Sequence, residues 1–97
     1  MMTLKQLHSE KIATLFLDAM SDIAEELQSI MNGIINEEIA FCKGRKLMQA
    51  KINRFGIIDR RYSNLCKNYE ISKDFIDRAR EIDVVRDVPF RFFYGIR

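Results

Sequence analysis

Six apolar side chains, Phe16, Met20, Ile23, Leu27, Ile30 and Ile34, recur in alternating steps of four and three. That spacing keeps one stripe on one side of an α-helix and is incompatible with a strand, whose side chains change face at every residue. A stripe of this kind has to be covered, by another helix of the same chain or by a second copy. Upstream, Thr3 and Gln6 have the spacing of a capping box, which sets the expected start of the helix. Asn32-Gly33 sets its expected end, because both residues tolerate the left-handed conformation. The first element is therefore an acidic helix within residues 1–33.

A second, basic helix is expected over 36–55. Asn36 is a good N-cap, Glu37 and Glu38 suit the first turn, and Gly56 suits the C-terminal stop. Its seam is Phe41, Met48, Ile52 and Phe55, and Gly44 falls where another seam residue belongs, which permits close approach by a neighbouring backbone. A shorter third helix over 57–70 follows from Ile58, Tyr62, Leu65 and Tyr69. A fourth, over 72–85, follows from the capping residue Ser72 and the staple pair Ile71 and Ile76. Asp87 to Arg97 hold the only proline and three of the seven phenylalanines. Pro89 is expected to end the fourth helix and leave an extended aromatic tail over 87–97. The expected fold is all-α, a single domain over 1–97 made of an antiparallel helical hairpin, two shorter helices and that tail.

Charge along the chain is sorted by position. Residues 1–40 carry two basic against seven acidic side chains, net −5, whereas residues 41–67 carry eight basic side chains against Asp59 alone, net +7. The remaining thirty residues balance at zero. Two readings stay open: the acidic and basic helices pair their rims with each other, or the basic stretch meets an acidic or phosphate-bearing partner. No apolar run is long enough to cross a bilayer, so the expected location is the cytoplasm. Cys42 and Cys66 lack the spacing of redox or zinc sites and are expected to be small buried side chains.

Catalytic chemistry finds no support in these residues. The single histidine, His8, has no placeable partner, no glycine-rich phosphate loop or nucleophile elbow occurs, and the carboxylates lie scattered along helix faces. A non-enzyme without metal or cofactor is expected. The candidate partner-binding residues are Pro89, Phe90, Phe92, Phe93 and Tyr94 in the tail, with Arg45, Lys46 and Arg54 on the basic helix. Aromatics flanked by arginine are the residue mix of interface hot spots. Pro89 in a mobile tail would also offer its peptide bond to a prolyl isomerase.

Two resemblances add to this reading. Residues 65–79, from Leu65 to Ala79, resemble the helix-turn-helix of bacterial repressors in the apolar, small, turn and cap positions. On that likeness Ser72, Lys73, Asp74, Asp77 and Arg78 would face DNA, with Ser72, Lys73 and Arg78 the binding residues. Two of the five are acidic, and Glu70 stands where that family prefers glycine at the turn. In length, near all-helical make-up and lack of catalytic groups, the whole chain is similar to small phage-encoded proteins of the anti-RecBCD type. That similarity implies a stoichiometric protein in the host cytoplasm that binds a larger host complex, an exonuclease-helicase, and inhibits or redirects it. It carries over no individual residue. The expected function is protein-binding modulation, with a DNA-binding transcriptional regulator as the alternative.

Overall fold

The computed structural model describes residues 3–95. Among these there are three helices and no strand: α1 (Leu4–Ile35), α2 (Phe41–Asn68) and α3 (Lys73–Gly95). The fold is all-α, and α1 and α2 form the antiparallel hairpin, with Ile34 against Gly44 and Glu26 paired to Lys51 at 2.5 Å. α3 returns alongside α1 in the parallel sense, since Glu10, Asp18 and Gln28 meet Ser72, Arg78 and Val85 in rising order. α3 packs chiefly on α1 and touches α2 over a short stretch, giving an elongated body of about 52 × 19 × 18 Å.

Because α1 is covered on two sides, its buried surface is wider than the single stripe read from the sequence. Ala13, Leu17 and Ala24 are fully buried beside Met20, Ile23 and Leu27, while Phe16, Ile30 and Ile34 are only partly covered. α2 contributes Met48, Ile52, Phe55 and Tyr62, and α3 contributes Ile82 and Pro89. The start of α1 is as expected: Thr3 Oγ1 accepts from the Gln6 amide and Gln6 Oε1 accepts from the Thr3 amide.

Several boundaries differ from expectation, each for a local physical reason. α1 runs through Asn32-Gly33 to Ile35, and Asn36 is its C-cap rather than the N-cap of α2. The turn is a Schellman closure: the Glu37 amide donates to Ile34 O and the Glu38 amide to Gly33 O, with Glu37 in the left-handed region at φ 60°. Gly33 is buried because Ile39 folds over it; a Cβ there would lie 2.5 Å from Ile39 Cδ1. Glu37 and Glu38 therefore sit in the connection, and α2 starts after Ala40, whose side chain makes no cap bond.

Gly56 does not stop α2. Ile52, Phe55, Ile58, Tyr62 and Leu65 form one continuous buried or half-buried stripe, so packing on both flanks carries the helix through the glycine. The expected helices over 36–55 and 57–70 are one element. A Cβ on the exposed Gly56 would meet nothing within 4 Å. Gly56→Ala is therefore expected to raise stability by about 1 kcal/mol, read from the urea midpoint.

The tail is the largest difference. α3 continues through Pro89 to Gly95, so residues 87–95 are helical, and Ile96 and Arg97 lie outside the described residues. A proline inside a helix leaves the carbonyl four residues earlier without its donor, at a cost of about 3 kcal/mol. Here that carbonyl is Val85 O, and the Gln28 side chain of α1 donates to it at 3.1 Å. Pro89 itself is fully buried, and Phe90, Phe92 and Phe93 pack against the core, which offsets the remaining cost. Gln28→Leu is expected to cost about 1–3 kcal/mol by orphaning the Val85 carbonyl. In a Pro89→Ala background, where a backbone donor returns, the same change should cost less; a double-mutant cycle in urea measures the coupling.

Candidate functional site

The hairpin places the basic residues of α2 on a helix whose inner stripe, Gly44, Met48, Ile52, Phe55 and Tyr62, is buried in the bundle. What remains outside is nearly all one sign. Lys43, Arg45, Lys46, Arg54, Arg60, Arg61 and Lys67 are exposed, and none has an ion-pair partner among the described residues. Lys51 alone of the α2 cations pairs with α1. Mutual neutralisation of the two helix rims, one of the two readings of the charge sorting, therefore accounts for one pair, and seven cations face solvent. A helix of this length presents them along about 40 Å.

At one end of the bundle the first turns of α2 meet the last turns of α3 and border an open hollow of about 440 Å³. Phe41, Cys42, Arg45, Lys46 and Gln49 line it from α2, and Phe93 lines it from α3. Of the candidate binding residues, Arg45, Lys46 and Phe93 are thus brought together. Tyr94 is exposed beside them, its ring edge-on to Phe93 with centroids 5.1 Å apart. Phe90 instead turns inward onto Phe55, with ring centroids 5.9 Å apart, and Phe92 also packs on the core. Arg54 lies farther along α2, about 13 Å beyond Arg45. Pro89 is sealed in the core, so no prolyl isomerase reaches it in this fold.

Three residues of the hollow are not legible as site residues in the sequence. The four-three spacing assigns Phe41 to the seam, but it begins α2 and is 41% exposed. Cys42, expected to be buried, is exposed, because the first turn places it to the side of the stripe that begins at Gly44; Cys66 is half-buried. Gln49 carries no signal beyond its place among the cations.

Two of the residues proposed to face DNA, Ser72 and Arg78, are engaged elsewhere. The Ser72 amide donates to Glu10 at 3.1 Å, and its hydroxyl donates to the same carboxylate. Arg78 is paired with Asp18, and the Gln6 amide side chain donates to Glu70 at 3.2 Å. Lys73 is exposed. The corner between α2 and α3 is thereby fastened to the acidic face of α1.

Two groups have displaced proton affinities, the buried Tyr62 and the half-exposed Asp83. Burial, then the neighbouring Cys66, pushes the Tyr62 phenol upward, and its hydroxyl has no hydrogen-bond partner among the described residues. Burial also raises the Asp83 carboxyl, against the pull of Arg86. Among the described residues no cluster of three or more His, Cys, Asp or Glu side chains could hold a metal ion, and no helix is long and apolar enough to cross a membrane. No known protein family, curated protein or solved structure matches this chain.

Proposed function

We propose that the chain is a small non-enzymatic modulator that acts by binding a larger protein, with the outward face of α2 as its contact surface. The observation that carries this is the set of seven exposed α2 cations without ion-pair partners among the described residues. Leaving so many like charges unpaired on one helix costs self-repulsion, which a complementary acidic surface relieves while also steering association. The resemblance to anti-RecBCD proteins points to a host exonuclease-helicase as that partner, whose nuclease or recombination activity would be inhibited or redirected. The helix-turn-helix alternative is less favoured, because Ser72 and Arg78 are already bonded to Glu10 and Asp18. α3 also lies along α1 rather than projecting as a free recognition helix.

The test uses the tagged full chain in nuclease-treated bacterial lysate and, separately, a purified host exonuclease-helicase degrading linear duplex DNA. The wild-type chain is expected to retain a large protein after nuclease treatment and to lower exonuclease activity stoichiometrically. Arg45→Glu with Lys46→Glu and Arg54→Glu should lose both effects while far-ultraviolet circular dichroism stays unchanged. Retention that disappears with nuclease, or unchanged binding by the triple variant, would contradict the proposal.

A further inference from the structure

The hollow between the start of α2 and the end of α3 joins aromatic and basic surface. Its walls are mostly apolar, built from the rings of Phe41 and Phe93, while Arg45 and Lys46 stand one helical turn beyond Phe41 and Cys42 and place two positive charges there. Neither cation has an ion-pair partner among the described residues, and both are exposed. We infer that this hollow receives a single apolar side chain from an acidic segment of the partner protein, with Asp or Glu beside that anchor meeting Arg45 and Lys46.

The inference deepens the α2 binding reading and rests on it. Charge complementarity selects the flanking residues, since a basic or neutral segment would leave both cations uncompensated. The apolar lining selects the anchor: a ring or branched aliphatic side chain that fills the hollow excludes water from its walls and strengthens the charged contacts around it. A volume of about 440 Å³ accommodates one such side chain with room for its neighbours. A single-stranded nucleic acid also combines π-faces with negative charge, but it is held by a succession of stacking platforms along a basic track. α2 offers one aromatic ring on its basic surface, Phe41; beyond Lys46 its large exposed apolar side chains are the aliphatic Leu47 and Ile57. Phe93 and Tyr94 add rings only at this same end of the bundle, so the aromatics form one local cluster beside two cations rather than a track along α2, which fits one anchored side chain.

Fluorescence anisotropy with the full chain tests this directly. The probes are a labelled peptide with one Phe among Asp and Glu residues, the same peptide with Ala for Phe, and a labelled oligothymidylate. The Phe peptide should bind saturably, at least about tenfold more tightly than the Ala peptide and than the oligothymidylate. Cys42→Trp, which fills the hollow from an exposed position, and Arg45→Glu with Lys46→Glu should each weaken it by about tenfold or more. Lys11→Glu, a charge reversal on the exposed side of α1 near the opposite end of the bundle, should leave it nearly unchanged. Equal binding of the Phe and Ala peptides, tighter binding of the oligothymidylate, no binding at millimolar peptide, or indifference to Cys42→Trp would each overturn the inference. So would self-association of the chain, seen by sedimentation, that Cys42→Trp abolishes, because a second copy would then occupy the hollow. In the lysate capture, Cys42→Trp should release the partner as fully as charge reversal does. If only charge reversal releases it, the α2 surface stands and the hollow does not.

Discussion

Phe55→Ala is expected to remove about 3–5 kcal/mol of folding stability, a large share of the roughly 5–15 kcal/mol typical of a domain. Phe55 is among the largest fully buried side chains and is the point where α2 meets α3. Its ring meets Phe90 edge-on at an interplanar angle of 74°, and the Arg86 guanidinium lies 5.1 Å from the centroids of both rings. Truncation loses the apolar transfer energy, leaves a cavity, and strips one of the two rings from Arg86, whose buried Nε makes no hydrogen bond among the described residues. The same substitution at the half-buried Phe92 should cost less. Urea unfolding measures both, and a Phe55→Ala loss below about 1 kcal/mol would mean that α3 does not pack on α2 through this ring.

Gly44→Val is expected to cost about 2–3 kcal/mol. A Cβ at this buried position would stand 2.5 Å from Ile34 Cγ1 and 3.3 Å from Ile39 Cγ2, at the point where the hairpin closes. Gly44→Ala sets two effects against each other. Helix propensity favours alanine by about 1 kcal/mol, whereas the overlap with Ile34 requires a side chain fixed between two helices to move. Overlap should win narrowly for alanine and decisively for valine, whose extra methyls have no space. Ile34→Ala should recover part of the Gly44→Val loss in the double variant, since it removes the atoms that collide; urea midpoints of the three variants measure the recovery.

These two residues also mark how much of the molecule can be read from the chain. The steps of four and three from Phe16 to Ile34 specify a long helix and its partner, and Gly44 at a seam position announces close approach, although what approaches is the Ile34 side chain and not the expected backbone. The end of α1 is harder to place because Asn32-Gly33 has the composition of a cap. Its glycine instead makes room for Ile39, and the left-handed position falls to Glu37, a residue type that carries no turn signal. Gly56 and Pro89 are local breakers whose preferences are outweighed by burial on either side, and the Gln28 amide that relieves Pro89 lies far away in sequence, on α1. The same blindness hides the hollow. Arg45 and Lys46 are legible from charge alone, but their meeting with Phe93 depends on α3 continuing past Pro89. Local patterns cannot report such a long-range juxtaposition.

Placing the contact surface on α2 and its terminal hollow rests on the aromatic segment being a packed helix rather than a free tail. Residue-resolved amide hydrogen exchange on the full chain decides this most directly. Amides of Phe90, Arg91, Phe92 and Phe93 should be protected to an extent comparable with the neighbours of Phe55, and Pro89→Ala should leave that protection in place. Exchange of these four amides at the rate of an unstructured peptide, with the hairpin of α1 and α2 still protected, would return the aromatic segment to solvent and contradict the account.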